Sequence, residues 1–226
     1  MSEDAHTRSL GLLSPRSAWQ ALKREWMLYH LGDPRFRFMW DAAPANEWVS
    51  LDCETTGLDR QHDEIIAIGA VRIVGNRVMT SERLELIVRP DKRRVSADSV
   101  RIHRLREQDV AQGISPDEAM HQLMTFIGSR PLVGYYLEFD VAMINRVLFP
   151  MLGMGLPQPR FEVSSMYYDH KSRWLPAHER GQSLDLRFAT LMNDLGLPMR
   201  DAHDAVNDAV MAGLAFIKLR GLLGMG

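Results

Sequence analysis

Trp48-Val49-Ser50-Leu51-Asp52-Cys53-Glu54-Thr55-Thr56-Gly57-Leu58-Asp59 opens as a β-strand and closes as a turn. Trp48, Val49 and Leu51 are strand formers, and Thr55-Thr56-Gly57 interrupts regular structure. Between them lie two carboxylates, Asp52 and Glu54. Side chains alternate faces along a strand, so these two point the same way, with Cα atoms about 7 Å apart. Like charges so placed repel, and burial raises the cost. A hard cation such as Mg²⁺ or Mn²⁺ would remove the conflict, because both prefer oxygen ligands. A pair of surface acids on an edge strand is the plain alternative, and only the rest of the chain can decide between them.

Moving outward, Ile65 to Ile73 reads as a second strand and Val78 to Val88 as a third, joined by the Gly75-Asn76 turn. Short helices are expected at Ser96–Ile102 and Arg106–Val110, and a longer one from Ser115-Pro116 to about Gly128. Leu132 to Tyr135 is a short buried strand, and Glu138 to Phe149 a helix. Phe161-Glu162-Val163 is a fifth strand, followed by helices over Ser165–Trp174, Ser183–Leu195 and His203–Leu223. A meander followed by βα alternation makes an α/β fold, a mixed five-stranded sheet flanked by helices. Ligands of such folds gather beyond the carboxyl ends of central strands, where Asp52 and Glu54 lie.

Toward the N-terminus, Ser14-Pro15 starts a helix with Trp19, Leu22 and Trp26 on one face. Gly32-Asp33-Pro34 stops it, an aromatic stretch from Phe36 to Trp40 follows, and residues 42–46 resemble a linker. The expected division is a helical N-terminal extension, residues 1–46, and a main domain, residues 47–226. The extension's apolar face should pack on the main domain; the alternative is a protein-partner surface at residues 14–46.

The chain has 226 residues, of which 46% are hydrophobic and 25% charged, in the normal range for a globular protein. No apolar run is long enough for a membrane helix, and no secretory signal opens the chain. Cys53 is the only cysteine, which excludes an intrachain disulfide and suits a reducing, cytoplasmic setting. Cys53 should face away from the two acids as a small buried hydrophobe. A formal net charge of −2 excludes binding to nucleic acid by overall charge. Such a partner must be held locally or through a metal. Lys92, Arg93, Arg94, Arg101, Arg104 and Arg106 could form a local basic rim.

Two further segments supply acids for a metal site. Asp140 follows the Leu132–Tyr135 strand and opens the next helix, where the dipole favours a carboxylate. The last helix reads Asp201-Ala202-His203-Asp204-Ala205-Val206-Asn207-Asp208-Ala209. Asp204 and Asp208 are expected one helical turn apart on a shared face. Ala202, Ala205 and Ala209 would let this helix approach another element closely.

Together these residues carry a resemblance. Asp52 to Asp59 is similar to the first motif of the DnaQ-like DEDDh exonucleases, 3′→5′ enzymes with an RNase H-like fold. Val133-Gly134-Tyr135-Tyr136-Leu137-Glu138-Phe139-Asp140 resembles the second, and His203-Asp204-Ala205-Val206-Asn207-Asp208-Ala209 the third. The resemblance spans about residues 47–221. It implies two Mg²⁺ or Mn²⁺ ions held by Asp52, Glu54, Asp140 and Asp208, with His203 as general base toward the attacking water. It implies that Thr55, Thr56, Gly57 and Leu58 receive the terminal nucleotide, with Leu58 wedged against its base, and that His103 lies on a substrate-side loop. Asp204 falls at a variable position of the motif and is left out of the site.

Two departures stand out. Tyr135-Tyr136 replaces a His-Asn pair common among relatives, which bears on substrate detail rather than metal binding. The basic domain has no counterpart of residues 1–46, and the chain stops soon after the last helix. That favours a stand-alone nuclease over a proofreading subunit. The expected activity is release of nucleoside 5′-monophosphates from single-stranded or frayed 3′ ends of DNA. The alternatives are RNA trimming and a non-catalytic nucleic-acid binding module. The sequence leaves the oligomeric state open.

Overall fold

The computed structural model describes residues 15–92, 105–173, 184–201 and 203–225. His103, Arg93, Arg94, Arg101, Arg104 and the expected Ser96–Ile102 helix lie outside them. Among the described residues, five strands form one mixed sheet in the order β3-β2-β1-β4-β5. They are β1 Glu47–Thr55, β2 Ile65–Val74, β3 Arg77–Ile87, β4 Leu132–Gly134 and β5 Arg160–Glu162. β1 runs antiparallel to β2 and parallel to β4, and β4 runs parallel to β5. The expected mixed sheet is therefore present, with β1 at its centre.

The helices among the described residues are α1 Pro15–Tyr29, α2 Glu107–Val110, α3 Pro116–Ile127, α4 Leu137–Leu152, α5 Val163–Ser172, α6 Phe188–Asp194 and α7 Ala205–Leu223. A 3₁₀ helix spans Pro34–Trp40, capped by the Asp33 carboxylate on the Arg35 amide. α3 starts where expected: Ser115 caps the Glu118 amide, with Pro116 in the first turn. Other ends moved. α6 begins at Phe188 rather than Ser183, and α7 begins at Ala205 rather than His203. Both shifts have local causes. Asp185 is held by Arg187 and Thr190 before α6. Asp204 caps α7 by accepting from the Asn207 amide.

α3 and α4 cover one face of the sheet, and α5, α6 and α7 the other. The first core contains Leu51, Ile68, Leu123, Leu132, Ile144 and Leu148. The second contains Ile73, Val133, Tyr167, Leu191, Met211 and Phe216. α7 lies unusually close to β2. A Cβ at Gly69 would sit 2.1 Å from the Ala205 carbonyl carbon, so glycine is required there. The expected small-residue seam is real at Ala205 and Ala209, both buried, and its partner is Gly69.

The N-terminal segment corrects one expectation. Trp19, Leu22 and Trp26 are 63%, 70% and 61% exposed, so that face does not pack on the domain. The contact is made farther along, where Leu28, Leu31, Phe36 and Met39 are buried in the first core. The Gly32 amide donates to the Leu152 carbonyl at the end of α4. No described helix is long and apolar enough to cross a membrane.

Candidate active site

The site forms at the carboxyl end of β1. Asp52 pairs in register with Gly69 and Glu54 with Ala67, and a bulge between Glu54 and Thr55 breaks the ladder there. Bulges re-aim side chains next to functional sites. Because Gly69 lies opposite Asp52 and under Ala205, the start of α7 is brought down onto β1. Asp208, one turn into α7, thereby meets Asp52 and Glu54. Their carboxylate oxygens lie within 4.8 Å of one another.

Asp140 enters from the first turn of α4 and is 4% exposed. It belongs to the same cleft but lies outside that closest trio. Its position depends on a carboxylate from β5. Glu162 accepts the Tyr136 amide at 2.9 Å and the Leu137 amide at 2.7 Å, fixing the start of α4. The same carboxylate accepts the Ser164 amide and hydroxyl at the start of α5. Two helix starts are thus tied to one acid.

Burial pushes the Asp52 carboxyl well above its ordinary pKa, and the Asp140, Glu54 and Asp208 charges push it further. Burial also raises Asp140, with Glu162 and Glu54 adding to it and the Cys53 amide opposing. Asp208 is raised to about 6, again chiefly by burial. The fit to a divalent cation rests on observation. Asp208 Oδ1 is buried with no hydrogen-bond partner among the described residues, beside two more carboxylates. A cation bound by these oxygens would satisfy it and offset the repulsion. Oxygen-only donors suit Mg²⁺ or Mn²⁺.

His203 stands exposed at the rim, in a left-handed conformation with φ 68°. Its backbone amide donates to Asp208 Oδ2 at 3.0 Å. The imidazole is therefore held next to the acids by main chain, from a loop and not from the helix. Asp204 is the cap of α7, so it does not share a helical face with Asp208, contrary to the sequence reading. Cys53 is buried in the core, and burial holds its thiol well above the usual range.

The loop after β1 is locked by its own side chains. Thr55 donates to the Gly57 carbonyl at 2.6 Å, and Thr56 donates to the Asp63 carboxylate at 2.9 Å. Asp63 also accepts the Asp59 amide. Arg146 of α4 donates to the carbonyls of Arg60 and Asp63. This clasp presents Leu58 to solvent, 85% exposed, on the cleft that holds the acids. The cleft encloses about 1100 Å³ and is also lined by Tyr136, Phe139, Phe188 and Met199. Arg146 and Glu162 escaped the sequence reading because they hold backbone atoms far away in the chain. Asp63 escaped it because its partners, the Thr56 hydroxyl and the Asp59 amide, lie within an irregular loop. Of the expected basic rim, Lys92 and Arg106 are described. Both are exposed, and Arg106 is paired with Asp109.

A central strand carrying two acids, joined by one acid from each of two helices, defines a nuclease of the DnaQ-like class. The family model of RNase T-type exonucleases matches residues 49–216. The chain belongs to this exonuclease family. Among curated relatives, the "DNA polymerase III subunit epsilon-like protein" of Rhodobacter capsulatus is 30% identical over 188 residues, covering 79% of this chain and 25% of that protein. The "DNA polymerase III PolC-type" of Thermotoga maritima is 26% identical over 171 residues, covering 76% of this chain and 12% of that one. The chain thus spans a quarter or less of the length of these relatives. Two solved structures share the fold. E. coli exonuclease I bound to single-stranded DNA superposes with TM-score 0.66 at 16% identity, covering 80% of this chain and 43% of that one. Exonuclease X in complex with 5′ overhanging duplex DNA gives 0.60 at 19% identity, covering 78% and 93%.

Proposed function

We propose that this enzyme is a divalent-metal-dependent 3′→5′ exonuclease that releases nucleoside 5′-monophosphates from unpaired 3′ ends of DNA. The observation that carries this reading is the trio Asp52, Glu54 and Asp208 with its orphaned buried oxygen, completed by Asp140. Asp52, Glu54 and Asp208 would hold one ion, and Asp52 with Asp140 a second. Mg²⁺ or Mn²⁺ bound by these residues would supply activation of a water and neutralisation of charge at the leaving 3′ oxygen.

The chain's own groups do the remaining work. His203, at the rim and tethered by its amide to Asp208, takes the proton of the attacking water. The clasped loop Thr55–Asp63 presents Leu58 to the terminal nucleotide, with Thr55, Thr56 and Gly57 shaping the turn. His103 is assigned to the substrate side from the family resemblance. We assign the chemistry to residues 47–226. Residues 28–39 close the core on one side, and the exposed Trp19, Leu22 and Trp26 are assigned to a protein partner. DNA is favoured over RNA because the two structural neighbours named above are complexes with DNA.

A 5′-labelled single-stranded oligonucleotide tests the reading. With Mn²⁺ it should shorten by single nucleotides from the 3′ end, and a chelator should stop it. Internal cuts, or activity that survives EDTA, would reject the proposal. A matched RNA oligonucleotide cleaved faster than the DNA would reject the substrate assignment alone.

A further inference from the structure

We propose that the ring of Tyr136 is a stacking platform for a nucleobase near the 3′ end, so that this enzyme grips unpaired ends by base stacking. The inference deepens the nuclease reading and rests on it.

The backbone gives the first observation. Tyr136 sits at φ 54° and ψ 33°, the left-handed region, immediately before α4. A large non-glycine residue pays to be there, and glycine, asparagine or aspartate would enter more readily. The conformation is held from outside by Glu162, which accepts the amides of Tyr136 and Leu137. The fold therefore keeps an aromatic ring at a position whose geometry alone would not select one. Strain of this kind is retained where the surroundings over-determine it, often at ligand clamps.

The rings give the second. Tyr136 lies against Tyr135, with centroids 4.4 Å apart, and Tyr135 lies against Phe188 at 4.5 Å. Tyr135 is locked by its hydroxyl, which donates to the Leu186 carbonyl at 2.8 Å. These three rings form a ladder fixed at its middle rung. The outer rung, Tyr136, is 55% exposed and lines the same cleft as Asp52, Glu54, Asp140 and Asp208. A planar apolar surface beside a phosphodiester site is matched by the face of a base. Every base has such a face, so the grip tolerates any sequence. It also demands that the base be unpaired, because a paired base is already stacked in its duplex.

The test is affinity, read separately from chemistry. A ten-nucleotide thymidine oligonucleotide carrying a 5′ dye is titrated with the full chain in Ca²⁺, which replaces Mg²⁺ to hold back hydrolysis. Further versions carry an abasic site at one of the last three positions. Tyr136→Ala should weaken binding of the intact strand by about 5- to 150-fold, the range for one lost base stack. Tyr136→Asn should behave alike, and its ease in the left-handed region keeps the test valid if the alanine variant unfolds. Tyr136→Phe keeps the ring and should stay within about twofold of wild type. At one abasic position the two losses should not add, because the same contact is removed twice. Additive losses at all three positions, or a phenylalanine variant as weak as the alanine one, would overturn the assignment. Hydrolysis of bis(p-nitrophenyl) phosphate by the wild type with Mn²⁺ reports on the catalytic reading by itself. Hydrolysis with additive losses sinks the platform alone. No hydrolysis with non-additive losses sinks the nuclease reading and leaves the stack standing.

Discussion

The two ends of the central strand treat charge in opposite ways. At its start, Glu47 meets Arg130 at 2.6 Å, both largely buried. Close by, the Arg220 guanidinium lies 4.3 Å from the Trp48 ring and donates to the Gly75 carbonyl. Each charged group there has a partner. At its end, four carboxylates converge, one with a buried oxygen left over, and three of them have pKa values raised by burial. Non-glycine residues in left-handed conformations mark both ends, Asn46 just before the strand and Tyr136 and His203 beside the acids. At the first pole Glu47, Arg130 and Arg220 find their partners within the folded chain. The other is under electrostatic tension that a cation would relieve. Stability and function are thus separated along one nine-residue strand.

This contrast can be broken by substitution. Asp52→Asn or Asp208→Asn should cost the most activity, about 10³-fold or more, since ion-site stabilisation amounts to several kcal/mol. Single-turnover cleavage beside calorimetric Mn²⁺ titration would show rate and metal affinity falling together. His203→Ala should lower the rate by about 10²–10⁴-fold while Mn²⁺ affinity stays near wild type. A histidine variant that no longer binds Mn²⁺ would make His203 a ligand. Gly69→Ala touches no acid, yet it pushes the start of α7 off β2. Overpacking of this kind costs about 1–3 kcal/mol, and activity should fall with it because Asp208 is displaced. Unchanged activity would show that the close approach does not set the site.

At the paired pole the pattern should invert. Glu47→Gln leaves Arg130 largely buried without its counter-charge and should destabilise by about 1–3 kcal/mol, with kcat unaffected. Denaturant melts and steady-state kinetics on the same preparation would decide this.

Legibility of the sequence followed the same divide. Asp52 and Glu54 were readable from their alternate positions on a strand, and Asp140, His203 and Asp208 chiefly from the resemblance to the DnaQ-like motifs; the structure gathers all five around one cleft. The strands were readable from β-branched runs and the Gly75 turn. Glu162 and Arg146 were not, because each acts on distant main-chain atoms; Asp63 was not, because it closes an irregular loop on the Thr56 hydroxyl and the Asp59 amide, which follows no periodic pattern. His203 was misplaced onto the helix because the periodicity of α7 extends backward past Asp204, whose capping bond ends it. The face of α1 was misassigned for a related reason. Periodicity identifies an apolar stripe but not its partner, and burial falls on Leu28 and Leu31 instead.

The smallest expected effect concerns pH. Asp208 is held near 6 in the folded state, above its unfolded value of about 4. The metal-free folded state therefore binds more protons than the unfolded one in that window. This group's contribution to stability is full below about pH 4 and is lost as pH rises through 6. Asp208→Asn should flatten that slope. With solvent screening at a partly exposed group, the gain near pH 7 is about 1 kcal/mol, or roughly 2–4 °C for a chain of this size.

The tension at the acidic pole is tested most directly by thermal melts of wild type and Asp208→Asn, each with EDTA and with Mn²⁺. Wild type should melt lower than the variant in EDTA and rise on adding Mn²⁺, while the variant should barely respond. A variant that melts lower than wild type in EDTA and gains as much from Mn²⁺ would contradict the account.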